Sequence, residues 1–330
     1  MDKLGEFELN KIYCMDCLEG LKKIPDKSVD LIVTDPPYFN IMKTDWKGNK
    51  HTWDNQWETF SHYMYWIGEI GKEIKRVLKL NGSFYMFADD KNCAYVQVEL
   101  DKLFNLENSI TWVKPNNMTI KGWNIYRSYA NITEKILFYS NKWDVNSLGE
   151  IKKDSQLFNN LRQYCRDIRK YINYSRAKMF KLLGNGRSQH FLEPDGPQWD
   201  ICTKETYQDL IEKCKINLMQ EFREYEDLRK EYEDLRRYFN PDSNFTDVWT
   251  FNIMGGKESL GKHPTQKPLK IIERIIKTSS KEAMTVLDPF MGSGTTALAC
   301  KQLNRKFIGF EISPEYCKIA NERLKQEVLA

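Results

Sequence analysis

Hydrophobic residues in the first 140 positions alternate between two patterns. One is a short unbroken run, and the other is a longer segment in which apolar residues recur every three or four positions. Lys11-Ile12-Tyr13-Cys14 and Val29-Asp30-Leu31-Ile32-Val33-Thr34 are runs of the first kind. The second is β-branched and shows no alternation, which predicts a strand buried on both faces. Between them, Cys17 to Ile24 has the spacing of one or two helical turns, closed by Pro25. Phe60, Met64, Ile67, Ile70, Ile74, Val77 and Leu78 predict a helix within Trp57–Leu80, which Asn81-Gly82 would terminate. Ser83–Phe87, Ser109–Val113 and Glu134–Tyr139 read as further strands, with turn chemistry at Lys114-Pro115-Asn116-Asn117. Near the carboxyl terminus, Ala283–Asp288 and Lys306–Phe310 are buried-strand patterns separated by a Gly-rich turn and a helix opening at Ala297. Alternating strands and helices predict an α/β architecture.

The middle breaks this rhythm. From about 141 to 250 strand signals vanish, and ten basic residues stand against two acidic ones between Ile151 and His190. Ser175 is placed to cap a helix ending at Leu183-Gly184, and Thr203 to cap another reaching about Lys213. Short helices with basic faces and interleaved aromatics suit phosphate and groove contact, or else form a solvated face. Arg223–Arg229 and Lys230–Arg236 form a near repeat of seven with Tyr225, Leu228, Tyr232, Leu235 and Tyr238 on one seam. Two heptads are too few for a free coiled coil, so a bracing helix or a dimer contact is expected.

Composition bounds the picture. The chain has 330 residues, of which 41% are hydrophobic and 29% charged, with a net charge of only +4. Any affinity for nucleic acid must therefore come from local charge, as in the middle segment. No apolar run reaches membrane-spanning length and the start does not resemble a signal peptide, so a cytoplasmic protein with no membrane partner is expected. Of eight cysteines only Cys14 and Cys17 form a C-x-x-C, which predicts reduced thiols and no metal.

Two segments carry chemistry. Asp35-Pro36-Pro37-Tyr38 follows the strand Val29–Thr34. Two prolines stop that strand and hold a carboxylate, a carbonyl and an aromatic ring at its carboxyl end, where open α/β sheets bind ligands. A carboxylate and a peptide carbonyl can together accept both N–H bonds of an exocyclic base amine, which raises the nucleophilicity of the nitrogen. The polar, Trp-rich stretch from Phe39 to Gln56 then reads as a lid or as an ordinary excursion. The second segment is Asp288-Pro289-Phe290-Met291-Gly292-Ser293-Gly294-Thr295-Thr296, a Gly-rich turn between strand and helix, with Glu311 ending the next strand. It lacks the lysine of a phosphate loop, and an acidic residue at that distance takes ribose hydroxyls, so it suits an adenosine-type ligand without a phosphate chain.

Together these segments resemble the DNA amino methyltransferases that use S-adenosylmethionine. Asp35–Tyr38 matches the catalytic motif, and Phe290, Gly292 and Gly294 match the cofactor motif. The order, with the catalytic motif first, is similar to that of the family's β group. The resemblance implies a doubly wound, mostly parallel seven-stranded methyltransferase sheet in permuted order, with a helical target-recognition insertion. The catalytic half would span 1–140, the insertion 141–250 and the cofactor half 251–330. Asp35, Pro36, Pro37 and Tyr38 would be catalytic, with Tyr38 stacked on a flipped base. Asp16, Asp35, His263, Thr265, Lys267, Asp288, Pro289, Phe290, Gly292, Ser293, Gly294, Thr295 and Glu311 would bind cofactor. Lys114, Asn116, Arg169, Lys170, Arg176, Lys178, Lys181 and Arg187 would contact double-stranded DNA. Asp at the first motif position resembles adenine-N6 members, with cytosine-N4 as the alternative and a non-DNA amino methyltransferase or a non-catalytic DNA-binding module as remote ones. A homodimer and a cognate restriction endonuclease are partners that the resemblance allows.

Overall fold

Among the described residues, the run Val29–Thr34 lies inside an eight-stranded sheet, between a strand from each half of the chain. The computed structural model describes residues 2–39, 56–115, 131–141, 157–184, 187–196, 199–241, 246–252 and 266–326. It divides into two units, Met1–Lys142 with Tyr238–Ala330, and Trp143–Arg237.

In chain order, β1 (Lys3–Leu4) and β2 (Phe7–Glu8) form a small hairpin, followed by β3 (Lys11–Cys14), α1 (Cys17–Lys22) and β4 (Val29–Thr34). Next come α2 (Phe60–Val77), β5 (Leu78–Ala88), α3 (Cys93–Leu100), β6 (Phe104–Val113) and β7 (Thr133–Asn141). The second unit holds α4 (Asn159–Ile172), α5 (Arg176–Leu183), α6 (Arg187–Leu192), α7 (Lys204–Cys214) and α8 (Tyr225–Leu235). The chain then returns through β8 (Val248–Thr250), α9 (Leu269–Ser279), β9 (Thr285–Asp288), α10 (Thr295–Gln302), β10 (Lys306–Glu311) and α11 (Pro314–Gln326).

The sheet order is β3-β10-β9-β4-β5-β7-β6-β8, antiparallel only at β5-β7 and β7-β6. Because β3, β10, β9 and β4 are parallel neighbours, their carboxyl ends share one edge. That edge carries, in order, Asp16 just past β3, Glu311 ending β10, Asp288 ending β9 and Asp35 just past β4. Side-chain alternation along β4 divides its apolar residues between two cores. Ile32 packs with Leu21, Ile67, Ile70 and Ile74. Leu31 and Val33 pack with Ile271, Ile275, Val286 and Ala297 on the other face. Burial on both faces is why the run carries no polar alternation.

Two expectations change. Among the described residues the sheet has eight strands rather than seven; the eighth, β8, is three residues paired through Trp112↔Trp249 and too short to announce itself. The second compact unit, Trp143–Arg237, lies within the 141–250 expected for the insertion. The helix expected to reach Leu80 ends at Val77, where Leu78 turns extended and pairs with Val29. Gly82 is therefore no helix cap. It lies in β5, where a Cβ would come within 2.5 Å of Leu78 Cδ1 and 3.0 Å of the Asp30 carbonyl.

In the second unit the expected caps form. Ser175 Oγ accepts the Lys178 N–H at 3.3 Å, Gly184 closes α5 at φ +68°, and Thr203 Oγ1 accepts the Thr206 N–H at 3.3 Å. Leu228 and Tyr232 of the heptad seam are buried in this unit's own core beside Trp199 and Phe158, so α8 braces the unit. Arg162, counted among the basic residues, is also buried. It donates to the Pro194 carbonyl and lies 4.7 Å from the Trp199 ring. Among the described residues no helix is long and apolar enough to cross a membrane.

Candidate active site

Pro36 and Pro37 have no backbone N–H to continue the β4 ladder, so the chain leaves the sheet at Asp35. Two side chains pin the turn that follows. Tyr63 of α2 donates its hydroxyl to the Pro37 carbonyl at 3.0 Å, and Asn92, before α3, donates Nδ2–H to the Tyr38 carbonyl at 2.5 Å. Asp35 and the Tyr38 ring are thus set by fixed helices.

Around them is a cluster of four charges, of which Glu134 and Lys267 are buried and Asp35 and Lys114 half-buried. Lys267 Nζ donates to Asp35 Oδ2 at 2.7 Å and lies 3.0 Å from Glu134 Oε1. The Tyr38 hydroxyl contacts Asp35 Oδ1 and also Glu134 Oε1, the latter at 2.7 Å. Lys114 Nζ holds Glu134 Oε2 at 2.6 Å. Two carboxylates and two ammonium groups cancel, which makes their partial or full burial tolerable. Burial raises the Asp35 pKa, Lys267 opposes that rise, and the Glu134 charge reinforces it. Burial would raise Glu134 too, but Lys267 and Lys114 together hold it at about 2. The Tyr38 hydroxyl is raised, first by burial and then by the two carboxylates.

The carboxyl-terminal half supplies the other wall. Asp288 Oδ1 accepts the Phe290 N–H at 3.0 Å, and Oδ2 accepts the Thr296 hydroxyl at 2.6 Å. Burial pushes this carboxyl up to about 7. Gly294 turns the chain into α10 at φ +79°, and a Cβ there would lie 2.9 Å from Ala320 Cβ. Glu311 is fixed by two backbone donors, Gly292 N–H on Oε2 and Ser313 N–H on Oε1, each at 2.8 Å. Asp16 caps α1 through Oδ1, which accepts from Leu18 N at 2.9 Å and Glu19 N at 3.1 Å. Phe290 meets Trp66 with ring centroids 5.5 Å apart.

These groups bound one cavity of about 830 Å³. Asp16, Asp35, Pro37, Lys267, Asp288, Pro289, Phe290, Gly292, Ser293, Thr295 and Glu311 all line it, joined by Trp57 and Trp66. Pro36, Tyr38 and Gly294 are not among the lining residues. His263, Thr265, Asn116, the side chain of Arg187, and the 40–55 part of the stretch read as a lid lie outside the described residues.

Lys114, expected to face DNA, is instead turned inward on Glu134 and lies 4.8 Å from the Trp112 ring centroid. Glu134, Tyr63 and Asn92 escaped the sequence reading. Nothing local marked Glu134, because Glu134 and Lys135 open the strand as an ordinary charged pair.

In the second unit Lys170, Arg176, Lys178 and Lys181 are exposed, and Arg169 is half-buried. A concavity of about 560 Å³ is lined by Arg166, Arg169, Lys170 and Asn173. Arg166 is paired with Asp195 at 2.6 Å and Arg176 with Glu193 at 3.0 Å, while Lys178 lies 3.4 Å from the Tyr174 ring centroid.

Comparison with known proteins agrees with this geometry. A DNA methylase family model matches residues 29–322. Type II methyltransferase M1.MboII of Moraxella bovis is 30% identical over 327 residues, covering 97% of this chain and 98% of the relative. DNA adenine methyltransferase YhdJ of Escherichia coli (strain K12) is 29% identical, covering 96% and 83%. The crystal structure of the M1.HpyAVI–SAM complex superposes with a TM-score of 0.53 at 24% identity, covering 95% and 98%, and shares the fold. The head and tail motifs that meet in the cavity both fall within the matched residues, and the chain belongs to the DNA methylase family.

Proposed function

We propose that this enzyme transfers a methyl group from S-adenosylmethionine to the exocyclic N6 of an adenine extruded from duplex DNA. The observation that carries this reading is a single cavity reaching from Asp35 to Glu311.

The residues fit the cofactor. About 830 Å³ lies in the range of ligand pockets and exceeds what a base alone needs. Each Glu311 oxygen already accepts one backbone N–H, which fixes the carboxylate while leaving lone pairs for ribose hydroxyls. Phe290 and Trp66 give an aromatic wall for a purine, and Asp16 stands one strand further along the edge. When bound, the cofactor supplies an electrophilic methyl group on a sulfonium.

The remaining chemistry belongs to the chain. Asp35 and the Pro36 carbonyl accept the two N–H bonds of the base amine and favour a tetrahedral nitrogen. As that nitrogen takes the methyl group it must lose a proton, and the Asp35 carboxylate, made more basic by burial, receives it. Positioning for an in-line displacement supplies much of the acceleration. The Tyr38 ring offers a stacking face that offsets the few kcal/mol of unstacking. Exposed Lys170, Arg176, Lys178 and Lys181, with Arg169, would neutralise DNA phosphates. Names of the type II relatives support a cognate restriction endonuclease as a partner, and a DNA target supports a cytoplasmic location. The heptad helix, buried in its own unit, offers no support for a homodimer.

Incubation with methyl-labelled S-adenosylmethionine and duplex DNA, followed by nucleoside analysis, tests the reading. Label should appear in N6-methyladenine. Label in N4-methylcytosine would overturn the choice of base, and label in neither would overturn the activity.

A further inference from the structure

The Asp35 carboxylate is already occupied in this structure. Tyr38 donates to Oδ1 and Lys267 to Oδ2 at 2.7 Å, so an incoming amine competes with a donor already seated on each oxygen. A buried hydroxyl or ammonium left without an acceptor carries a large penalty. Glu134 touches both displaced donors, with Oε1 2.7 Å from the Tyr38 hydroxyl and 3.0 Å from Lys267 Nζ. The tyrosine has one proton and two carboxylates within reach of it.

We propose that Glu134 is a positioning residue that takes over the Tyr38 hydroxyl and the Lys267 ammonium when the target amine claims Asp35. This inference rests on the methyl-transfer reading above. The exchange is a transfer of hydrogen bonds with no covalent change. Before the base arrives, the tyrosine proton lies toward Asp35; afterwards it points to Glu134, and Lys267 keeps its contact with Glu134. Lys114 on Oε2 leaves Oε1 turned toward the two donors and keeps the cluster neutral throughout. The site can thus open an acceptor for substrate without stranding a buried polar group. Both Glu134 and Lys267 are under 10% exposed, so bulk water is a poor substitute acceptor.

The test compares the full-length enzyme with Glu134→Gln and with the double variant Glu134→Leu/Lys114→Met. The double variant replaces the outer ion pair with apolar side chains and leaves Asp35 and Lys267 to neutralise each other. Single-turnover methylation of duplex DNA should slow by roughly ten- to hundredfold in both. The KM for DNA and the calorimetric Kd for S-adenosylmethionine should stay within about twofold, placing the loss in the chemical step. If Glu134 merely neutralises Lys114, the double variant regains the wild-type rate, and the proposal is overturned. A wild-type rate in Glu134→Gln overturns it as well, and decides alone if the double variant fails to melt cooperatively. Absence of methyl transfer by the wild-type enzyme would defeat this proposal together with the activity; transfer that survives intact in the variants defeats only the proposal.

Discussion

Lys267 and Asp35, 232 residues apart in the chain, are joined from Nζ to Oδ2 at 2.7 Å. The pair closes the gap between the two halves of the fold, since Asp35 follows β4 and Lys267 precedes α9. It also sets the state in which the carboxylate waits: half-buried, paired with a cation and hydrogen-bonded by Tyr38. An acceptor so placed is basic because it is desolvated and restrained because it is paired.

Asp35→Ala should therefore lower the methylation rate by at least about a hundredfold, the loss typical of a removed proton acceptor. Lys267 keeps Glu134 as a partner in that variant, so the fold and the Kd for S-adenosylmethionine should be retained. Turnover near the wild-type rate would remove Asp35 from the chemistry.

The acid limb of the rate profile follows from the charges facing Asp35, which are Lys267, Glu134 and Asp288, with the Tyr38 hydroxyl. The proposed transfer needs Asp35 ionised, so the rate should fall as pH drops through its pKa. Burial and the Glu134 charge raise that pKa. Glu134→Gln removes one of the two upward influences and should shift the acid limb to lower pH, whatever its effect on the maximal rate. A limb that moves upward or stays in place would contradict the assignment.

Asp288 gives a stability test. Its folded pKa of about 7 stands above the unfolded value of 3.8. The folded state binds more protons across that window, so stability falls as pH rises from about 4 to about 7. The difference is on the order of a few kcal/mol. Asp288→Asn keeps an acceptor for Thr296 and should flatten the dependence of Tm on pH between 5 and 8. If wild type and variant show parallel curves, the carboxyl is not held protonated.

Much of this could be read from residue order because the signals were local. Val29–Thr34 was an unbroken apolar run because both its faces are covered, and Ser175, Gly184 and Thr203 marked helix ends through their own backbone preferences. Asp35, Asp288 and Glu311 stood out because each ends a strand or follows one directly. Glu134 did not, since its partners Tyr38, Lys114 and Lys267 come from distant segments and nothing in Thr133–Asn141 shows that the carboxylate is buried. The basic count misled in the same way, because charge alone could not separate buried Arg162 from exposed Lys170. The helical spacing of Leu78 concealed its pairing with Val29.

For the second unit, charge reversal at Arg169, Lys170, Lys178 and Lys181 should weaken DNA binding and flatten its salt dependence. Each lost phosphate contact should reduce the log–log slope by about 0.9. An unchanged slope would show that these side chains do not meet DNA.

The most direct measurement is a crystal structure of the enzyme with S-adenosylmethionine bound. The ribose hydroxyls are expected on Glu311, the adenine against Phe290, and the methyl group directed at Asp35 within the one cavity. A cofactor seated elsewhere, or one whose methyl group points away from Asp35, would contradict the proposed transfer.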